Sequence, residues 1–296
     1  MNSRIELNKD KQIDIDKEKQ MNAIKKVIKK IVFAILIIFL LAFFTFFYIT
    51  KIGTTSIIVN EEVISSSKIP ESFSGFKIIQ FGDIHYENYD LLKDTINTIN
   101  RRNPELVLFT GDLLKDDNLT TKKRKKLVGE LKKLNAPLKY AVLGESDNDE
   151  ALSILLDCGF VVLDNNNDYI YNGSNQSIML VGLNTNNEVI NYQGAFTNYN
   201  ANTYTIAMFH KPDYIDEFIS SYPVDLALAG HSHLGEIRIP YLLNLANKDY
   251  ASKYINSYYE VNNTKFYITS GIGTDTYDVR INARPSINFF RLRKTT

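Results

Sequence analysis

The sequence predicts an α/β fold with largely parallel strands, preceded by one membrane-spanning helix. Three observations carry that expectation. Seven short apolar or aromatic runs each end in Gly, Asp, Asn or His. The first three are separated by stretches with apolar spacing near three and four, and the third is followed by another. One uncharged run stands near the N-terminus. Buried parallel strands read as continuous apolar runs, and strand-helix alternation is the mark of crossover connections.

The first element is the uncharged run. From Ile31 to Thr50 the chain reads "IVFAILIIFLLAFFTFFYIT", twenty residues without a charge. At a helical rise this spans about 30 Å, the thickness of a bilayer core. Residues 1–30 carry nine Lys or Arg, whereas residues 51–70 carry only Lys51 and Lys68. That asymmetry puts the N-terminus in the cytoplasm and the rest outside. The run is longer than a cleaved signal's apolar region and lacks a small-residue cleavage pattern, so it reads as an uncleaved signal anchor. The expected organisation is a basic cytoplasmic tail (1–30), a transmembrane signal anchor (31–50), a tether with the first strands (51–70) and one main domain (71–296).

Within the main domain the strand runs are "FKIIQFGDIHY", "ELVLFTGDLL", "LKYAVLGESD", "SIMLVGLNT", "YTIAMFHKPD", "VDLALAGHSHLG" and "KFYITSGIG". The helices are "ENYDLLKDTINTINRRN", "LTTKKRKKLVGELKKLN" and "DEALSILLDCGF". "LDNNNDYIYNGSNQS" reads as a hairpin. Ligands of open α/β sheets gather beyond the carboxyl ends of the strands, where these polar clusters fall.

Composition narrows the function. With 34 basic and 34 acidic residues, the charge balance gives no support to nucleic acid as a partner. The single Cys158 excludes an internal disulfide and sits in an apolar stretch, as a packing thiol would. The second helix carries seven basic residues among Lys122–Lys133, a solvated face that also suits anionic lipid heads.

The chemistry lies in four histidines, all at strand ends: His85 in "GDIH", His210 in "FHKP", His231 and His233 in "GHSH". Asp83 lies two residues before His85, and Asp112 ends a second strand in "TGDLL". Mixed carboxylate and imidazole donors suit Mn, Fe or Zn.

At these motifs the chain resembles the calcineurin-like metallophosphoesterases, and within them a bacterial membrane-associated branch. The ordered match runs through "GDIH", "GDLL", "GESD", "FHKPD", "GHSHLGEIRIP" and "SGIGTDTYDVRINARPSINFFRL", over about residues 54–296. The resemblance implies a sandwich of two mixed β-sheets flanked by helices, with two divalent metal ions at the strand ends. It implies Asp83, His85 and His233 as ligands of one ion, His210 and His231 as ligands of the second, and Asp112 as the bridge.

The family's next motif is Gly-Asn-His-Asp, whose Asn ligates the second ion and whose His serves the leaving group. Here those places hold Gly144, Glu145, Ser146 and Asp147. Glu145 can still ligate, while Ser146 is a poor proton donor in place of the lost acid. Of Glu145, Asp147 and Asn148, Glu145 is the expected changed ligand, and Asp112, Ser146 and Asp147 are the expected catalytic residues. Gly82, Leu234 and Glu236 stand where the family has Ser, Gly and Gln. Arg280 and Arg284 are candidates to counter a phosphate charge or to serve as structural ion pairs. The expected activity is hydrolysis of a phosphomonoester, phosphodiester or pyrophosphate of a small-molecule or lipid substrate at the membrane. A metal-holding protein that binds a phosphorylated ligand without turnover is the alternative.

Overall fold

The computed structural model describes residues 2–115, 119–186, 189–239, 249–275 and 277–296, with side chains described from residue 14. The part of the expected basic tail in residues 1–13 therefore lies outside the described side chains, as do Pro240 and Thr276 of the two last motifs. The chain forms two compact units, Met1–Ile49 and Thr50–Thr296.

The first unit is one helix, α1 (Asn2–Phe47). The expected tail and anchor are thus continuous helix, and the described side chains of the apolar run through Phe47 are exposed. It is long and apolar enough to cross a membrane. With no polar face it has no amphipathic way to pack on a protein surface.

The second unit is a sandwich. Its elements are β1 (Ile58–Ser66), β2 (Lys77–Phe81), α2 (Tyr89–Asn100), β3 (Leu106–Phe109), α3 (Thr121–Leu131), β4 (Leu138–Ala141), α4 (Asp149–Asp157), β5 (Val161–Val162), β6 (Asn166–Tyr171), β7 (Ser177–Gly182), β8 (Thr205–Met208), β9 (Leu226–Ala229), β10 (Tyr258–Val261), β11 (Thr264–Ile268) and β12 (Ser286–Lys294). One sheet has the order β1-β12-β2-β3-β4-β5 and the other β10-β11-β9-β8-β7-β6. Both are mixed. β12 runs antiparallel to β2 in the first, and the second carries an antiparallel strand at each edge. The expected hairpin is β6–β7.

Alternation along each strand builds three apolar layers. Ile78, Leu106 and Leu108 pack between the sheets against Leu180, Ile206 and Leu228. The intervening residues Ile79, Val107 and Phe109 face Leu92, Ile96, Leu131 and Ile154 on the helices. Met179, Ala207 and Ala227 cover the outer face of the second sheet with Phe196 and Phe218. Each central strand is buried on both faces, which is why the sequence shows runs rather than alternation. Cys158 is buried in the helix layer.

Residues 51–70, expected as a tether with the first strands, carry β1 and fall in the second compact unit. β1 pairs with β12 in parallel over nine residue pairs, Ile58 with Ser286 through Ser66 with Lys294. The backbone groups of β12 have no other strand on that side, so β1 closes an edge that would otherwise stay unpaired.

A buried polar chain joins the two sheets. Gln80 of β2, fully buried, donates to the Ala229 carbonyl at the end of β9 at 2.8 Å and accepts from Asn288 of β12 at 2.9 Å. Asn288 in turn accepts from Asn60 of β1 at 2.9 Å. This fixes the end of β9 against β2 and leaves no stranded amide at Gln80. Gln80→Leu removes the inter-sheet bond and strands the Asn288 amide, while the Ala229 carbonyl keeps its bond from Thr269 N. Denaturant unfolding of the chain in mild detergent is expected to show a loss of about 1–3 kcal/mol, and an unchanged midpoint would contradict this role.

Candidate metal centre

Each candidate side chain leaves a strand at its carboxyl end. Asp83 and His85 follow β2, Asp112 follows β3, Glu145 follows β4, His210 follows β8, and His231 and His233 follow β9. The backbone there turns sharply. Asp83, His85, Asp112, His231 and His233 have φ of 48, 40, 58, 64 and 47°. A non-glycine residue in the left-handed region is strained by about 1–3 kcal/mol, and five such residues meet at one place. Leu234 and Glu236 add φ of 51 and 41° in the same loop.

These turns gather the donors into two groups, each with ligand atoms within 4.8 Å of one another: Asp83, His85 and His233, and Asp112, Glu145, His210 and His231. Asp112 Oδ2 lies between them, 3.4 Å from His85 Nε2 and 3.3 Å from His210 Nε2. Glu145 spans its histidines, with Oε2 2.8 Å from His210 Nε2 and Oε1 2.6 Å from His231 Nδ1. Of the three residues expected to reach this side, Glu145 does so. Asn148 instead caps α4 by accepting from the Glu150 and Ala151 N–H groups.

Asp147 sits behind the donors. Its carboxylate accepts from the backbone N–H of Asp112, Leu113 and Gly144 at 2.9, 2.7 and 2.9 Å. Burial, together with the Asp112 charge, pushes its pKa up to about 6 against the pull of those donors. Its oxygens hold the Asp112 and Gly144 turns together. Ser146 N donates to Asp112 Oδ1 at 3.0 Å, and Ser146 Oγ is buried with no hydrogen-bond partner among the described residues. Gly144 permits this crowding, since a Cβ there would meet Asp112 Oδ1 at 2.1 Å.

The arrangement fits divalent cations on its own geometry. His85 Nε2 and His233 Nε2 face each other at 3.1 Å, where two ring nitrogens need a proton or a cation between them. His210 Nε2 and His231 Nδ1 make no aligned hydrogen bond despite their short distances to Glu145. Their other ring nitrogens point away. His210 Nδ1 lies 2.7 Å from the Thr110 carbonyl, His231 Nε2 2.7 Å from the Asp249 carbonyl, and His233 Nδ1 2.8 Å from Glu236 Oε1. An outer acceptor fixes the N–H on that side and turns the lone pair inward, as metal-ligating histidines require.

The charge balance points the same way. Burial opposes a charged His210, yet the Asp112 and Glu145 carboxylates outweigh it and raise its pKa well above the usual range. Burial likewise raises Glu145, and the adjoining His210 and His231 rings more than reverse that, leaving it below the usual range. Three clustered carboxylates thus draw positive charge into the site.

Sequence reasoning missed the outer acceptors. Glu236 is visible only as a departure from the family's Gln. The Thr110 and Asp249 carbonyls carry no side-chain signal. Of the two arginines, Arg280 lies beside the donors, with Nη2 3.4 Å from His233 Nδ1. Arg280 is 1% exposed and donates to the Ala283 carbonyl at 2.6 Å and to the Gly273 carbonyl, bracing the loop behind His233. Arg284 binds Ser56.

Because His210 must lose its proton to offer Nε2, metal loading is expected to release protons and to strengthen as pH rises. Calorimetric titration with Mn²⁺ in buffers of different ionisation enthalpy measures this directly. Buffer-independent heats would contradict the assignment of His210 to the charged state before loading.

Known proteins agree with this chemistry. Residues 76–235 match the calcineurin-like phosphoesterase family. The chain is 32% identical over 252 residues to the uncharacterized metallophosphoesterase YkuE of Bacillus subtilis (strain 168), covering 81% of this chain and 86% of that protein. It is 28% identical over 232 residues to the phosphodiesterase YaeI of Escherichia coli (strain K12), covering 73% and 82%. To the UDP-2,3-diacylglucosamine pyrophosphatase LpxG of Chlamydia muridarum (strain MoPn / Nigg) it is 25% identical over 246 residues, covering 59% and 69%. With the family match spanning most of the sandwich and a relative this similar over most of both lengths, the chain belongs to the calcineurin-like phosphoesterases, hydrolases of phosphoric esters that use two divalent metal ions.

Proposed function

We propose that the chain is a membrane-anchored phosphoesterase whose domain lies outside the cytoplasm and cleaves a phosphomonoester, phosphodiester or pyrophosphate of a lipid-linked or envelope substrate. The observation that carries the reading is Asp112 Oδ2 lying 3.4 Å from His85 and 3.3 Å from His210, between two donor groups. Asp83, His85 and His233 would hold one ion and Glu145, His210 and His231 the other, with Asp112 placed to reach both groups. Mn, Fe and Zn all suit these donors. Bound there, the ions would supply charge to offset phosphate oxygens and to activate water near neutral pH. Asp147 keeps Asp112 and Gly144 in register, and Glu236 keeps His233 turned inward. The charge asymmetry around residues 31–50 supports the orientation, and LpxG, named for a lipid-linked pyrophosphate, supports the substrate class.

No histidine remains to protonate the leaving group, because all four belong to the donor groups. A general acid is worth ~10² to 10⁴ in rate. Ser146 supplies at most a hydrogen bond, so the substrate must depart as a stable anion or take its proton from water. A phosphate leaving a pyrophosphate meets that need. The carboxylate of Glu145 also adds negative charge beside an anionic substrate, which favours the second reading of a metal-holding binder without turnover.

A panel of aryl and lipid phosphoesters tested with Mn²⁺ separates the two. The expected outcome is turnover that falls steeply as the leaving group becomes more basic. Glu145→Asn combined with Ser146→His should flatten that dependence and raise the rate on poor leaving groups by about 10² or more. If a metal-loaded parent turns over no member of the panel while the double variant does, the parent is a binder.

A further inference from the structure

A cavity of about 400 Å³ lies beside the candidate metal centre and within the same compact unit. His85 of the first donor group forms part of its lining. Leu91, Leu92 and Ile272 give it an apolar wall, and Lys51 and Thr54 give it a polar one. Two acids also line it, Glu87 and Asp278, and both face Lys115, at 2.8 and 4.0 Å. Their charge is therefore partly offset, and a phosphate nearby meets less repulsion than the acid count suggests.

The polar wall has an unusual origin. Lys51 directly follows Thr50, the last residue of the uncharged run, and Thr54 comes four residues later. The segment is helical, Tyr48–Ile52 and Gly53–Thr55. At a helical rise Thr54 lies about 6 Å beyond Thr50. The head-group layer on each side of a bilayer is of similar depth, about 5–8 Å. The chain directly after that segment is fastened to the domain, with Ile58 N donating to the Pro285 carbonyl at 2.7 Å and Arg284 Nε to the Ser56 carbonyl at 3.1 Å. A wall of this cavity thus consists of chain that leaves the apolar run within a head-group's depth.

We propose that this cavity is the substrate site for the acyl-linked polar backbone of a membrane lipid phosphoester, whose phosphate lies at the donors beside His85. The inference rests on the anchored hydrolase reading above and adds where its lipid is recognised. Leu91, Leu92 and Ile272 take the first methylenes of the acyl chains, Lys51 faces the anionic head, and the remaining acyl length stays in the bilayer.

The test measures binding by the full chain in detergent, loaded with Mn²⁺, with dihexanoyl phosphatidic acid and glycerol 3-phosphate as probes. The lipid is expected to bind at least tenfold more tightly. Thr54→Trp and Thr274→Phe both place a ring in the cavity, and each should remove that preference. Leu156→Trp, on an exposed position of α4, should keep it. Equal affinity of the wild type for the two probes, or a preference that survives in both cavity variants, overturns the proposal. Turnover of bis(p-nitrophenyl) phosphate by the same preparation reports separately on hydrolysis. A protein that prefers the lipid but turns over no ester keeps the cavity assignment and loses the hydrolase reading, whereas turnover without lipid preference does the reverse.

Discussion

The structure depends on one electrostatic constraint: three carboxylates and four imidazoles must share a small volume at the strand ends, all of them buried but Glu145 at its rim. Unit charges about 4 Å apart interact by on the order of 4 kcal/mol even at an effective dielectric of 20. Asp83 and Asp112 are almost wholly buried, so water cannot screen them. Only positive charge makes such a cluster tolerable. Protons on the histidines or two divalent cations can supply it, and the inward-turned ring nitrogens favour the cations.

The rest of the fold holds that cluster in place against strain. Two sheets buried on both faces give rigid strand ends, and the Gln80 bond to Ala229 locks one sheet's end to the other's. From those ends five donor residues turn through left-handed backbone, which a flexible loop would relax. Asp147 on the Asp112 and Gly144 turns and Arg280 behind His233 serve the same purpose. Asp147 accepts from backbone N–H groups, and Arg280 donates to backbone carbonyls and lies against the His233 ring.

Glu145 shows how one substitution alters the site without dismantling it. Its carboxylate occupies both His210 and His231, so it binds that side more strongly than a neutral amide can, and it lowers the net charge an anionic substrate meets. Asp83, His85 and His233 form one donor group, and Glu145 stands with Asp112, His210 and His231 in the other.

Much of this is legible in the sequence because it rests on local pattern. Apolar runs ending in Asp, Gly or His specify the seven strands, since a strand buried on both faces admits little else. The uncharged stretch specifies α1, since twenty residues without a charge leave no solvated face. The four histidines and their companion carboxylates stand out by chemistry and by place. What depends on long-range pairing is not legible. β1 and β12 lie more than 200 residues apart, and nothing in "IVNEEVISS" names its partner. Asp147 and Glu145 are both carboxylates two residues apart in one motif. Only the turn after β4 decides that one faces the histidines and the other the backbone of Asp112. The outer acceptors of His210 and His231 are main-chain carbonyls, identical in every sequence. The sequence by itself therefore determined which residue types meet at the strand ends. The tertiary structure decided which atom of each faces the centre, because that direction is set by backbone turns and by hydrogen bonds between segments that are distant along the chain.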